Sequence, residues 1–341
     1  MSRVEPTSFA IHVTYTCPLT CKHCCFESSP HNKDRLDFDV IRETIMALDQ
    51  DKYHLVAFTG GEPMLLGKQL VELVGIASRR GFSTRVVSSV HFAVNDGVAL
   101  KRLGELREAG LDELSISWDE FHEEFVSFDN VRRATAIGVQ LGICVAISAT
   151  EHESSSWNSE RIRRELGSIG DADVSVCDSP LNKTGRAEVE LKNKERLASS
   201  RLGPCPYVLT GPTLSAKGKL LACCGVVPET SSLVIDDFYS PAHLESAIGK
   251  AQKSVLLNWL YVLGPFHLMQ KIAQENGMSV PEKGEVAGNC EACRKVLTDP
   301  CYTRHLNKTL LANASMVSDY VHTLDAMGSL QGGRPTRLMP A

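Results

Sequence analysis

The chain has 341 residues, 43% of them hydrophobic and 23% charged, and Lys+Arg 36 against Asp+Glu 41 gives a formal net charge of -5. That length suits one large domain or two ordinary ones, and the composition excludes a disordered, collagenous or low-complexity chain. The mild acidity argues against a phosphate-neutralising surface, so no nucleic acid is expected. The outlying number is 12 Cys. A chain that can build its own core, and whose start (Met1 to Ser8) lacks a basic segment followed by an apolar one, has little use for disulfides. Metal or cluster ligation in a reducing cytoplasm is the expectation.

In chain order, β-rich runs at Phe9 to Thr16, Leu55 to Thr59, Thr84 to Ser88, Leu114 to Trp118, Ile143 to Ser148 and Val174 to Val176 alternate with amphipathic stretches. The latter predict helices over Phe38 to Leu48, Gly67 to Arg80, Val98 to Ala109, Val131 to Gly138 and Ser159 to Leu166. This is the rhythm of parallel βα units, too few to close an eight-stranded barrel but enough for an open one with functional loops at the C-terminal strand ends. After Arg186 the rhythm stops. A charged helical stretch, Glu188 to Ser199, leads to a hairpin at Tyr207 to Ala222 with its turn at Ser215-Ala-Lys-Gly218. Helices over Pro241 to Ser254 and Val255 to Leu263 follow, then a Cys-rich loop from Cys290 to Cys301, a helix from about Asn307 to Met327, and a disordered tail over Gln331 to Ala341. The most apolar window, Val255 to Met269, is too short to span a membrane and is broken by Gly264-Pro265, so no membrane is expected.

The first run leads into Thr16-Cys17-Pro-Leu-Thr-Cys21-Lys-His-Cys24. Three thiolates on one short loop suit three corners of a cubane cluster and leave its fourth iron open to a small molecule, whereas a structural zinc site wants four closed ligands. The second run ends in Thr59-Gly60-Gly61-Glu62-Pro63. Two glycines permit close backbone approach, and Glu62 offers an acceptor to an ammonium.

These motifs resemble the radical S-adenosylmethionine (SAM) superfamily, whose fold is a partial (β/α)6 barrel with parallel strands. The resemblance implies a [4Fe-4S] cluster on Cys17, Cys21 and Cys24, with SAM held by Gly60, Gly61, Glu62 and Pro63. It also implies further cofactor contacts at later strand ends, from Ser88, Ser89, Ser117, Asp119 and Ser148, and from Arg186 as a carboxylate clamp. Each of these serines could equally cap a following helix. His122, in Phe121-His-Glu-Glu-Phe125, is a candidate for proton transfer or a plain surface turn.

Cys205, Cys223, Cys290 and Cys293 resemble the abbreviated "twitch" form of the SPASM extension, a small α+β domain holding one auxiliary [4Fe-4S] cluster. Four thiolates with a Cys-x2-Cys half are also a zinc pattern, and the upstream motif favours iron and sulfur. The expected organisation is a core over 1–190, an auxiliary domain over 191–303 and a C-terminal helix and tail over 304–341. Of the remaining cysteines, Cys144 and Cys177 read as small core residues, Cys25 as a bystander of the first cluster, and Cys301 has no role. Cys224 is open between a hydrogen-atom donor to a substrate radical, a buried inert thiol and an alternative ligand. The resemblance implies reductive SAM cleavage to a 5'-deoxyadenosyl radical, with an external electron donor such as flavodoxin or ferredoxin. The expected substrate is a ribosomally made peptide, epimerised, cross-linked or dehydrogenated. With 16 residues before Cys17, a fused leader-recognition domain is not expected at that end. The alternatives are a small natural-product sugar or alcohol as substrate, or a non-catalytic iron-sulfur or zinc protein.

Overall fold

Alternating burial along the β-rich runs builds one sheet. The computed structural model describes residues 4–171, 174–191, 202–224, 229, 231–237 and 239–330. Six strands, β1 (Ser8–Thr14), β2 (Leu55–Gly60), β3 (Ser83–Ser88), β4 (Glu113–Ser117), β5 (Cys144–Glu151) and β6 (Val174–Pro180), pair in sequence order and all in parallel. Phe9, Ile11 and Val13 of β1, with Val56, Phe58, Val86, Leu114, Ile116, Val145 and Ile147, are buried under the helices. Strand periodicity turns the intervening residues, among them His12, Thr59, Ser115, Ser117, Ser148 and Cys177, to the opposite, concave face. This is the expected open, partial (β/α)6 barrel.

The covering helices are α1 (Phe38–Ala47), α2 (Lys68–Arg79), α3 (Asp96–Ala109), the short α4 (Glu120–Glu123), α5 (Phe128–Gln140), α6 (Ser159–Leu166) and α7 (Arg186–Glu190). Except for α2 and α7, which start after Gly67 and Gly185, they begin with side-chain caps, such as Asn95 Oδ1 accepting from Val98 N at 2.9 Å before α3 and Asn158 Oδ1 from Arg161 N at 2.8 Å before α6.

The hairpin after the βα repeats does not stand apart. Its strands β7 (Thr213–Leu214) and β8 (Leu220–Leu221) pair antiparallel around Gly218, whose φ is 75°, and β9 (Val234–Asp236) adds beyond β8. β7 also pairs in parallel with β1, Ala10 opposite Thr213 and Ile11 opposite Leu214, which gives the sheet order β6-β5-β4-β3-β2-β1-β7-β8-β9. The second region therefore begins on the same strand that delivers Cys17.

Beyond the sheet lie α8 (Leu244–Ala251), α9 (Val255–Val262), α10 (Pro265–Glu275), α11 (Asn289–Thr298), α12 (Pro300–Ala312) and α13 (Ala314–Leu330). Apolar residues of α9 to α13, including Trp259, Leu268, Val296 and Val317, form a second core that also takes in Val208 and Cys223. Three expectations change. The stretch predicted as a Cys-rich loop is mostly helix, because Glu291 to Leu297 are good helix formers and Asp299-Pro300 caps and starts the next helix. The single C-terminal helix is two, broken at Asn313, whose side-chain amide donates to Thr309 O at 2.9 Å and to Glu275 Oε1 at 2.9 Å. Cys144, expected in the core, is exposed at the start of β5. The predicted tail and most of the charged stretch before Ser199 lie outside the described residues. Among the described residues no helix is long and apolar enough to cross a membrane.

Gly264 joins α9 to α10 with φ 87°, and a Cβ there would stand 1.8 Å from Gly203 O. Both sterics and the positive φ demand glycine. Gly264→Ala should lower stability by on the order of 3 kcal/mol in urea unfolding; an unchanged midpoint would contradict this packing.

Candidate active site

The loop after β1 is held on three sides. Gly61 N donates to Thr14 O at 2.6 Å and Glu62 N to Thr16 O at 3.0 Å, which pins the end of β2 to the end of β1. A Cβ at Gly60, whose φ is 117°, would lie 2.5 Å from Thr14 O, and one at Gly61 would lie 2.3 Å from Thr16 O. The close approach that these glycines permit is thus to the cysteine loop's own backbone. From below, Arg186 Nη1 donates to Cys21 O at 2.7 Å, its Nη2 to Ser28 O at 2.6 Å, and its backbone N to Cys24 O at 3.0 Å. Its planar fork is spent on loop carbonyls, so Arg186 acts here as a brace for the loop and not as a clamp reaching a carboxylate.

Cys17, Cys21 and Cys24 face one another closely enough for their charges to interact. Burial, then the neighbouring groups, pushes the Cys17 thiol up to about 12 and Cys21 higher still. Cys17 and Cys21 are costly to ionise without a cation beside them, and a set of three thiols on one loop is a donor set that fits iron.

Glu62 is fully buried, and its carboxylate accepts from Met64 N at 3.1 Å, Ser88 Oγ at 2.9 Å, Ser89 N at 3.0 Å and Ser89 Oγ at 2.8 Å. His91 Nδ1 lies 3.3 Å away on the other side. Burial raises the carboxyl pKa, but the hydrogen bonds and charge from His91, with those from Ser89 and Met64, outweigh it and the net shift is downward. Ser88 and Ser89 therefore hold Glu62 itself, with Pro63 opening the 3-10 turn that follows it. His91 was not read from the sequence; a polar residue two positions past the serine pair was its signal.

At the end of β4, Asp119 caps α4 through Phe121 N and His122 N. Its carboxylate lies 2.8 Å from His122 Nδ1 and 3.4 Å from His23 Nε2, and their ligand atoms all fall within 4.8 Å of one another. Burial works against the charge, yet the two imidazoles and the Thr150 amide win and hold Asp119 well below the usual carboxylate range. His23, in the cysteine loop, stacks on Phe121 with ring centroids 4.7 Å apart. His122 is thus tied to the cysteine loop through Asp119, not placed on a surface turn. Ser117 is half-buried beside this cluster, and Ser148 Oγ meets Ser179 Oγ at 3.2 Å on the next two strands.

The second set of cysteines converges. A small pocket is lined by Cys205, Cys223, Cys224, Cys290 and Cys293, with Tyr207, Val208, Leu233, Leu260, Pro265 and Asn289. Cys290 and Cys293 share one face of α11, Cys223 and Cys224 follow β8, and Cys205 N is held by Leu260 O at 2.9 Å. Burial, then the surrounding thiols, raises Cys205, Cys290 and Cys293. An apolar cavity walled by thiols suits a closed cluster. Cys25 is raised by burial first and then by Cys24 and Cys224, which places it near both groups.

The Radical SAM superfamily model matches residues 11–139. The chain is similar to the Bacillus subtilis protein named "Putative peptide biosynthesis protein YydG", 24% identical over 78% of this chain and 84% of that one. It is also similar to the PqqA peptide cyclase of Bradyrhizobium diazoefficiens, 34% identical over 35% of this chain and 30% of that protein. In fold it resembles the solved structure titled "Native anSMEcpe with bound AdoMet", with TM-score 0.52, 13% identity and coverage of 93% of this chain and 100% of that one.

Glu62→Gln would turn an amide donor toward the Ser89 amide and hydroxyl, and should cost about 2–3 kcal/mol at pH 7. Because the folded-state pKa of Glu62 is lowered, its stabilisation is present above the unfolded carboxylate value and is lost as pH falls through the folded one. The difference between wild type and variant in urea unfolding should therefore shrink below about pH 4; a difference that stays constant with pH would contradict a charged Glu62.

Proposed function

Taking residues 11–139 as a radical SAM domain, whose cofactors are a [4Fe-4S] cluster and S-adenosylmethionine, we propose that this enzyme epimerises a residue of a ribosomally made peptide, with Cys224 returning the hydrogen atom. In this reading Cys17, Cys21 and Cys24 hold the first cluster. Cys205, Cys223, Cys290 and Cys293 hold an auxiliary one in the domain that follows the barrel. Reductive cleavage of bound SAM supplies the 5'-deoxyadenosyl radical that removes a hydrogen atom from the substrate.

The observation that carries the proposal is five thiols around one cavity where four close a cluster. Cys223 is buried in the second apolar core, whereas Cys224 is half-buried and acts on Cys25 of the first loop. Cys224 is then the thiol left over on the side facing the barrel. Its S–H bond can give a hydrogen atom to a carbon radical from the face opposite to abstraction, which inverts the centre and leaves a thiyl radical that one electron from the external donor and one proton return to the thiol. The other residues bind and orient. Glu62 and the Ser88-Ser89 turn shape the floor where the SAM methionine group would sit, and the Asp119, His122 and His23 cluster fixes the wall above the loop. Peptide modification is supported by likeness to a protein named for peptide biosynthesis over most of both chains. A low-potential flavodoxin or ferredoxin in the cytoplasm would supply the electron.

Reconstituted anaerobically and reduced, the protein should carry about eight irons and convert SAM to 5'-deoxyadenosine. With short peptides encoded beside its gene, wild type should yield an epimer. Cys224→Ala should still form 5'-deoxyadenosine but give no epimer. No SAM cleavage would remove the enzymatic reading, and an unchanged epimer from the variant would remove Cys224 as donor.

A further inference from the structure

A polar network crosses from β1 to the segment after Cys224. Tyr15 Oη donates to Glu229 Oε1 at 2.5 Å. A phenol has one hydrogen, so its oxygen must accept from His12 Nδ1, 3.0 Å away, which sets the imidazole tautomer. Phe26 packs on both rings, with centroids 4.4 Å from His12 and 5.8 Å from Tyr15. His12 has no solvent exposure, and burial lowers its imidazole to about 3, so the ring is neutral. Its Nε2 is buried with no hydrogen-bond partner among the described residues.

The second region meets this network from its own side. The Ala216 backbone reaches the Tyr15 hydroxyl, and Lys217 Nζ lies 5.9 Å from the Tyr15 ring centroid. Lys219 Nζ donates to Glu229 O at 3.2 Å and pairs with Asp237 at 2.9 Å. Glu229 Oε2, by contrast, is buried with no partner among the described residues. A carboxylate buried with one oxygen unsatisfied costs stability, and an apolar pair would serve packing better. The arrangement makes sense where it sets a position.

We propose that the Tyr15–Glu229 hydrogen bond, backed by His12, is a positioning latch that holds the Cys224 turn at a set distance from the Cys17–Cys24 loop. Tyr15 lies two residues before Cys17 and Glu229 five residues after Cys224 in the sequence, so the bond joins the chain near both. The inference rests on Cys224 as hydrogen donor: a thiol must meet a short-lived carbon radical in contact, and a misplacement of about 1 Å can cost roughly 100-fold.

The test uses the holoenzyme and the peptide that wild type epimerises, with Tyr15→Phe, Glu229→Leu and Glu229→Gln. The glutamine keeps an acceptor oxygen for Tyr15, so it is the conservative rescue. In Tyr15→Phe and Glu229→Leu, epimer formed per 5'-deoxyadenosine should fall by about tenfold or more, while iron content is unchanged. The magnetic dipolar interaction between the two reduced clusters should broaden in the same two variants. Glu229→Gln should match wild type in both measurements. Wild-type coupling and dipolar line shape in Tyr15→Phe and Glu229→Leu would overturn the latch. So would a Glu229→Gln as impaired as Glu229→Leu, since charge and not the hydrogen bond would then matter. If Cys224→Ala leaves the epimer unchanged, the donor assignment falls while the dipolar measurement still decides the latch.

Discussion

The short parallel pairing between β1 and β7 is the contact on which the rest of the molecule depends. It joins two residues of the strand that delivers the first cysteine loop to two residues of the hairpin that delivers the second cysteine group. A one-residue slip in this register would turn every side chain of β7 to the other face and carry Cys223 and Cys224 with it. The pairing is short, so it is reinforced: Thr7 N and Ser8 N both donate to Thr210 O, and Gln252 Nε2 donates to Val4 O at 2.9 Å. Two separately packed cores thereby meet along one strand.

Around that strand the chain invests in backbone. The cysteine loop is held by Arg186 from one side and by Gly61 and Glu62 from another, and a side chain at Gly185, whose φ is 58°, would lie 2.4 Å from Cys25 O. All of these contacts come from the chain's own groups, which brace the loop on both sides. Buried thiols whose ionisation is disfavoured, gathered in two places, describe a protein built to hold charged inorganic clusters rather than to use its cysteines as packing.

Much of this was legible in the residues. The alternation of β1 to β6 survives because each strand faces a helical layer on one side and a concave space on the other, and periodicity reports burial directly. The grouping of Cys205, Cys223, Cys290 and Cys293 is visible in their spacing and its resemblance, and the fold brings them around one pocket. What was not legible involves partners distant in sequence: the two-residue strand β7 carries no local signal, and nothing in Tyr15 or Glu229 announces that they meet. Arg186 was noticed for its chemistry, but its target, the loop carbonyls, could not be read. Ser88 and Ser89 were placed at the correct strand end, yet their hydroxyls turn to Glu62. Cys290 and Cys293 were grouped correctly on a segment expected to be a loop, because Cys-x2-Cys suits a helical turn as well as a loop.

Radical generation on one side of β1 and hydrogen return on the other is the centre of this account, and solvent labelling tests it most directly. The thiol hydrogen of Cys224 exchanges with water, whereas the substrate's carbon-bound hydrogen does not. Turnover in deuterium oxide should place one deuterium on the inverted carbon of the product peptide. An inverted product carrying no deuterium would contradict hydrogen return from an exchangeable thiol.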